Sequence, residues 1–187
     1  MAIRSFLAFE LPFDIRKKVI QISGELKKTG LDAAWVRPEN IHLTLIFMGD
    51  TDEKHLREII SGIGSIAGRY KPFEISLGGA GLFPDIRRPR VLWLGLNGER
   101  GRLSSLRDDL QKPLQEFGVK QERRPFKPHL TLARFRRGIN DRPLLKKSID
   151  KYKDYSGPDG KLDEITLFKS ELKPGGSIYT KLHSWPL

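Results

Sequence analysis

The tetrapeptide His-Leu-Thr-Leu occurs twice in the chain, at residues 42–45 and 129–132. Each copy lies among apolar and β-branched residues, which is typical of a β-strand. Because side chains alternate between the two faces of a strand, each histidine should project from the same face as the threonine two residues later. The leucines of each copy should face a hydrophobic core. The chain must therefore fold so that two strands each carry an imidazole and a hydroxyl on one face and apolar side chains on the other.

The strands and helices around the two copies recur in the same order. Hydrophobic periodicity predicts a β-α-β-α-β succession in each half of the chain, followed by a last strand. The second tetrapeptide begins 87 residues after the first, and the flanking elements recur at nearly the same offset. We therefore predict one domain, residues 1–187, with an internal repeat of about 1–85 and 88–187. The expected class is α+β and bilobal, with two pseudo-symmetric lobes of antiparallel sheet plus helices flanking a central groove where the two His-Thr pairs meet.

Glycine and proline suggest where individual elements end. The strand that contains the first tetrapeptide should close at Gly49, and residues 78–81 (Gly-Gly-Ala-Gly) should break the strand before them. Pro113 should kink or interrupt the helix predicted over residues 103–117, because proline lacks the backbone N–H that a helix interior uses.

Composition limits the class of protein and its partners. No apolar run approaches the roughly 18 to 20 residues that a membrane-spanning helix needs, and the N-terminus does not resemble a secretory signal. The chain has no cysteine, which removes disulfides and thiolate chemistry and leads us to expect a cytoplasmic protein. The formal net charge of +11 predicts a polyanionic partner, because a basic surface attracts phosphate groups.

Two histidines and two threonines in one groove suit phosphodiester chemistry. An imidazole titrates near neutral pH, so one histidine can activate the attacking oxygen while the other protonates the leaving oxygen. Threonine hydroxyls can donate hydrogen bonds to the non-bridging phosphate oxygens. The candidate catalytic residues are therefore His42, Thr44, His129 and Thr131.

Two alternatives compete with this interpretation. A His or Thr on a half-buried strand is usually structural, but recurrence of the pair at the equivalent point of each half favours function. A zinc site is the chemical alternative, since neutral imidazole is a common zinc ligand. The tetrapeptides have no Cys, Asp or Glu two residues to either side of the histidines, so we predict no metal.

In its two His-Leu-Thr-Leu tetrapeptides and the segments around them, the chain resembles the two-histidine phosphoesterases. Within them it resembles the LigT-like RNA 2′,3′-cyclic phosphodiesterases, also called 2′-5′ RNA ligases. The resemblance covers nearly the whole chain, and both His-x-Thr-x motifs are intact. The matching segments are residues 4–12, 35, 41–49, 81–84, 88–93, 126–134, 167–170, 179 and 185–187.

The resemblance implies a bilobal fold with a catalytic groove and hydrolysis of RNA 2′,3′-cyclic phosphate ends to 2′-phosphomonoesters, without metal or cofactor. It implies that His42 is the proton donor, that His129 is the proton acceptor, and that Thr44 and Thr131 hold the phosphate. Family members also join RNA ends through 2′-5′ linkages. The expected partners are RNA ends or 2′,3′-cyclic nucleotides, with no membrane and a monomeric chain. The alternative is a non-catalytic RNA- or nucleotide-binding module that uses the same groove.

The resemblance also implies a substrate-binding role for Arg134 near the phosphate. Arg134 follows His129 by five residues, so ideal alternation would point it to the opposite face of the strand. It reaches the site only if the strand bends or ends there. The alternative is a surface arginine beside Arg136 and Arg137.

Basic and aromatic residues suggest how RNA would be held. Three basic segments, residues 87–90, 123–124 and 134–137, fit contacts to an RNA backbone around the groove. Phe83 or Tyr179 would stack on a terminal base, although each ring is by itself more typical of a core position.

Overall fold

A computed structural model describes residues 1–136, 139, 141–174 and 176–187. The strands are β1 (Ala2–Phe9), β2 (Ala34–Trp35), β3 (Leu43–Asp52), β4 (Phe73–Phe83), β5 (Val91–Gly98), β6 (His129–Arg134), β7 (Asp159–Leu162), β8 (Glu164–Lys173) and β9 (Gly176–Pro186). The α-helices are α1 (Phe13–Lys27), α2 (Leu56–Ala67), α3 (Arg100–Leu114) and α4 (Arg142–Asp150). The predicted α+β class is confirmed.

The strands form one antiparallel sheet in the order β7-β4-β5-β6-β3-β1-β8-β9, with β2 added to β6. At its centre β6 and β3 are joined through the pair Leu43–Leu130. On one side lies a lobe of β3, β1, β8 and β9, and on the other a lobe of β6, β5, β4 and β7. The predicted two-lobed architecture is therefore confirmed.

Helices cover one face of each lobe. Helices α2 and α3 pack together against β9 and β3, whereas α1 and α4 pack against β7 and β4. The stripe Ile15, Val19, Ile22 and Leu26 of α1 is buried, which matches its spacing of three and four residues. Because the helices occupy the core side, the opposite sheet face, which carries the polar residues of the tetrapeptides, lines the groove.

Each lobe draws its strands from both halves of the chain. Strands β1 and β3 belong to the first half, but they share a lobe with β8 and β9 of the second half. Strand β4 of the first half pairs in turn with β5 of the second. The lobes are thus interleaved along the sequence. The internal repeat of residues 1–85 and 88–187 stays a prediction.

Two glycine-based predictions of strand ends are wrong. Strand β3 continues through Gly49 to Asp52, because β1 pairs with it along this length. Strand β4 continues through residues 78–81 to Phe83 and absorbs the glycines in a bulge between Leu77 and Ala80.

Pro113 lies in the last turn of α3, so the predicted interruption falls at the end of the helix rather than within it. The chain continues as a 3₁₀ turn over Gln115–Phe117. Among the described residues, no helix is both long and apolar enough to cross a membrane.

Candidate active site

The two tetrapeptides meet at the centre of the sheet. Leu43 and Leu130, the second residues of the two copies, are register partners in an antiparallel pair. His42 and His129 each precede this pair, so they project from the face opposite the leucines and occupy diagonal positions. Diagonal neighbours in an antiparallel pair are roughly 7 to 8 Å apart. Both imidazoles therefore lie on the groove face within reach of one phosphate group.

The His42 ring is held by two hydrogen bonds of different kinds. Its Nδ1 lies 2.8 Å from the carbonyl oxygen of Asn40, and its Nε2 lies 2.9 Å from the Thr44 hydroxyl. A carbonyl oxygen can only accept, so the proton of the neutral ring is on Nδ1. The Thr44 hydroxyl then donates to the lone pair of Nε2. This contact places the first His-Thr pair in one hydrogen-bonded unit.

Aromatic rings enclose His42. Phe6 stacks on the imidazole at 4.8 Å between ring centroids, and Tyr179 and Phe168 lie at 5.4 and 6.3 Å. Burial lowers the pKa of His42 to about 4, although the bond to Asn40 opposes this shift. The charge of Arg134 lowers the pKa of His42 further. The imidazole is therefore neutral near pH 7 in the free protein.

His129 has the same tautomer in a different aromatic setting. Its Nδ1 donates to the carbonyl oxygen of Lys127 at 2.7 Å, which leaves the lone pair on Nε2. Phe83 and Trp93 lie at 4.9 and 6.3 Å from the ring. Burial lowers the pKa of His129, the Lys127 carbonyl opposes this shift, and the charge of Arg134 adds to it.

Both tetrapeptide strands carry a β-bulge directly after the threonine. In β3, Leu45 is the extra residue, because Thr44 lies opposite Ala8 while Ile46 lies opposite Leu7. The alternation of side chains is therefore reset, and two consecutive residues face the core. These buried residues are Leu45 and Ile46.

The bulge in β6 settles the orientation of Arg134. Leu132 is the extra residue, and both Leu132 and Ala133 are buried. Arg134 consequently returns to the face of His129 and Thr131 instead of pointing away from it. Its charge lowers the pKa of both His42 and His129. The structure thus brings Arg134 together with the other four predicted site residues.

The two threonines differ in their surroundings. Thr44 is bonded to His42, whereas within the described part of the chain the Thr131 hydroxyl makes no side-chain hydrogen bond. Thr131 lies opposite Trp93 in the register of β5 and β6 and is half-buried on the groove face. Its hydroxyl is therefore positioned to donate to a group in the groove.

Sequence reasoning missed several groove residues. Phe6 and Phe168 form a small apolar cluster against His42. Phe47 follows the bulge in β3, as Arg134 follows the bulge in β6, and it is exposed beneath the guanidinium of Arg4 at 4.7 Å. Alternation marks Phe6 and Ala8 as sharing a face, but only strand pairing shows that this face is the groove.

The predicted RNA-contacting residues lie in different settings. Phe83 and Tyr179 contact His129 and His42, and their role in base stacking stays a prediction. Residues 87–90 precede β5 and lie beside Arg134, since the Arg90 carbonyl accepts a hydrogen bond from the Phe135 N–H. Segment 123–124 precedes β6, and the Arg124 guanidinium pairs with Glu122. Of the third segment, Arg137 lies outside the described residues.

A metal centre would need at least three ligands in most protein sites. In residues 1–136, 139, 141–174 and 176–187, no three His, Cys, Asp or Glu side chains come together as a metal site would require. The hydrogen-bond partner of each imidazole Nδ1 is a backbone carbonyl, and the partner of His42 Nε2 is a hydroxyl.

Known proteins are similar to this chain in sequence and in fold. A family model described as LigT like Phosphoesterase matches residues 9–93 and again residues 94–179. An RNA 2′,3′-cyclic phosphodiesterase of Methanothermobacter thermautotrophicus is 36% identical over 187 residues, which cover 100% of both chains.

Solved structures agree with the sequence match. The protein TT0787 of Thermus thermophilus superimposes with a TM-score of 0.82 at 27% identity, over 98% of this chain and 97% of that one. Escherichia coli LigT complexed with 3′-AMP superimposes with a TM-score of 0.71 at 27% identity, over 100% and 99% of the two chains. With two successive matches that span most of its length, this chain belongs to the LigT-like phosphoesterase family.

Proposed function

We propose that the chain hydrolyses the 2′,3′-cyclic phosphate at an RNA end to a 2′-phosphomonoester, by acid-base catalysis between two histidines and without a metal. The observation that carries this proposal is the matched pair of imidazoles: each donates Nδ1–H to a backbone carbonyl, which leaves Nε2 as the nitrogen that exchanges a proton. Relatives named RNA 2′,3′-cyclic phosphodiesterase support the choice of reaction.

In this mechanism His129 is the proton acceptor. Its Nε2 lone pair takes a proton from a water molecule as the water oxygen attacks the cyclic phosphorus. Because burial lowers the pKa of His129, the ring is in the neutral form that a base requires near neutral pH. The bond between phosphorus and the 3′ oxygen then breaks, which leaves the phosphate on the 2′ oxygen.

His42 donates a proton from Nε2 to the departing 3′ oxygen. In the free protein His42 is neutral, since burial lowers its pKa to about 4. An anionic phosphodiester in the groove raises this pKa, both directly and by neutralising the charge of Arg134. With the substrate bound, His42 therefore takes up a proton from solvent at Nε2, and this is the proton that it gives to the 3′ oxygen. The direction of transfer, from His42 and to His129, rests on the family resemblance.

The threonines and Arg134 hold the phosphate. In the free protein the Thr44 hydroxyl proton is directed to His42 Nε2. Once His42 is protonated there, the hydroxyl is released to donate to a non-bridging oxygen. Thr131 supplies a second neutral donor, and the Arg134 guanidinium supplies positive charge on the same face. Donors of this kind stabilise the charge that develops at phosphorus.

The same groups can support 2′-5′ RNA ligation. If the 5′ hydroxyl of another RNA replaces the attacking water, the product is a 2′-5′ phosphodiester instead of a 2′-phosphomonoester. The reverse cleavage uses His42 and His129 with their roles exchanged. The RNA partner, the monomeric state and the cytoplasmic location remain predictions.

The decisive experiment incubates the protein with a 2′,3′-cyclic nucleotide in excess EDTA and follows the products by chromatography. The expected result is release of the 2′-phosphomonoester and no 3′ isomer. Binding without turnover would favour the non-catalytic RNA- or nucleotide-binding module. Turnover that EDTA abolishes would contradict the metal-free mechanism.

A further inference from the structure

A cavity of about 450 Å³ lies beside the catalytic groove, in the lobe of β4, β5, β6 and β7. Strands β4 and β5 contribute Gly79 and Gly95 to it, and residues 153–156, which follow α4, form another wall. Gly95 is the register partner of His129. Since neighbouring strands are about 4.8 Å apart, the cavity lining begins roughly one strand spacing from the backbone of His129. A substrate that extends beyond the reacting nucleotide can therefore enter it.

The cavity is built into the fold. A Cβ on Gly79 would overlap the backbone carbonyl of Lys153, so glycine is required where this segment crosses β4. The segment is fixed by a hydrogen bond of 2.8 Å from the Ala80 N–H to the Tyr152 carbonyl. The wall formed by residues 153–156 is thus anchored to the same strand that supplies Gly79.

Trp93 separates the cavity from the reacting centre. Its ring lies across the backbone of Gly81, where a Cβ would overlap the indole, and lies 6.3 Å from the His129 ring. Trp93 also lines the cavity and is half-buried. Aromatic faces of this kind accept stacked bases of any sequence.

The cavity lining carries more positive than negative charge. Arg100 and Lys153 both line it, together with one carboxylate, Asp154. The Arg100 guanidinium is held by neutral oxygens, since Nε donates to the Leu96 carbonyl at 3.1 Å and a terminal nitrogen donates to the Asn97 side chain. Its positive charge is therefore positioned without being neutralised by these partners.

From this arrangement we infer that the cavity binds the nucleotide that precedes the reacting 3′ end of a single-stranded RNA. The phosphodiester of that nucleotide lies beside Arg100 and Lys153, and its base stacks on Trp93 or Tyr155. This inference rests on the proposed function, and it gives the groove a preference for RNA ends. A 2′,3′-cyclic mononucleotide has no preceding nucleotide and does not occupy the cavity.

The test compares a trinucleotide that ends in a 2′,3′-cyclic phosphate with the corresponding 2′,3′-cyclic mononucleotide. In Arg100→Gln and in Lys153→Gln, KM for the trinucleotide should rise about tenfold, as expected for a lost hydrogen bond to a charged group. The kcat/KM for the mononucleotide should not change. Equal effects on both substrates, or no effect on either, would overturn the inference.

Asp154→Asn should change KM for the trinucleotide in the opposite direction. Removal of this carboxylate should lower KM for the trinucleotide, because the repulsion between Asp154 and the RNA phosphate disappears. Lys112→Gln is the matched control for loss of a positive charge on α3, since Lys112 pairs with Asp109 and does not line the cavity. A rise in trinucleotide KM in this control equal to that in Arg100→Gln would show a general charge effect and contradict a specific site.

Direct binding separates this inference from the proposed function. Fluorescence anisotropy with a labelled trinucleotide 3′-phosphate needs no turnover, so it reports on the cavity even if the protein hydrolyses neither substrate. Weaker binding of this trinucleotide by Arg100→Gln and Lys153→Gln supports the cavity. Unchanged binding in both variants refutes it, whatever the result of the hydrolysis assay.

Discussion

Leu43 and Leu130 are paired across the centre of the sheet, and each is the second residue of a His-Leu-Thr-Leu tetrapeptide. Because the pair is antiparallel and both leucines face the core, the histidines before them must both face the groove. The register of this one backbone pair thus fixes the relative position of the two histidines proposed for catalysis.

Removal of either imidazole should stop turnover without unfolding the protein. We expect His42→Ala and His129→Ala each to reduce kcat about 10² to 10⁴-fold, the usual contribution of a proton-transfer group. The assay is hydrolysis of a 2′,3′-cyclic nucleotide, and circular dichroism checks the fold. His55→Ala is the control, since His55 contacts Glu58 on the protein surface. A variant that is inactive because it does not fold would instead support a structural role.

The Thr44 hydroxyl should matter through its hydrogen bond rather than its shape. Thr44→Val preserves the branched side chain but removes the group that lies 2.9 Å from His42 Nε2. We expect kcat to fall about 10²-fold, as when one donor to a developing charge is lost. Thr44→Ser keeps the hydroxyl and should retain most of the activity. Comparable losses in the valine and serine variants would point to packing as the cause.

The charge of Arg134 should be visible in the titration of both histidines. Its charge lowers the pKa of His42 and of His129, so Arg134→Gln should raise both. NMR titration of the imidazole resonances measures this effect directly, and KM for the cyclic phosphate should increase about tenfold with the lost contact. Arg136→Gln, an exposed neighbour, is the matched control. Unshifted titration curves in Arg134→Gln would place its side chain away from the groove.

Acid should destabilise the protein through His42. Burial lowers the pKa of His42 from 6.5 to about 4, so between these values the unfolded chain binds a proton that the folded protein does not. The contribution of His42 to stability is therefore complete above about pH 6.5 and is lost as the pH falls toward 4. Between about pH 7 and pH 5 the wild type should lose about 2 kcal/mol more than His42→Gln, as measured by urea unfolding. Parallel losses in both proteins would contradict a desolvated, neutral His42 ring.

The sequence by itself identified the α+β class, the amphipathic helices and the four tetrapeptide residues proposed for catalysis. Its patterns are local. They are an alternation with a period of two in the strands, apolar residues three and four positions apart in α1, and a motif that occurs twice. Such patterns show which face of each element is apolar. That face turns to the core because burial of apolar surface is favourable. They also predicted most strand and helix positions, apart from the ends assigned to Gly49 and residues 78–81.

The tertiary structure decided what depends on pairing between distant strands. Nothing in the local sequence marks Leu132 as the extra residue of a bulge, because Leu132 and Ala133 are both apolar and either could face the core. Only the register against β5 returns Arg134 to the face of His129. The interleaved lobes and the ring of Phe6 on His42 likewise require strands far apart in sequence. Alternation is a property of one strand, whereas register, bulges and a shared groove are properties of the assembled sheet.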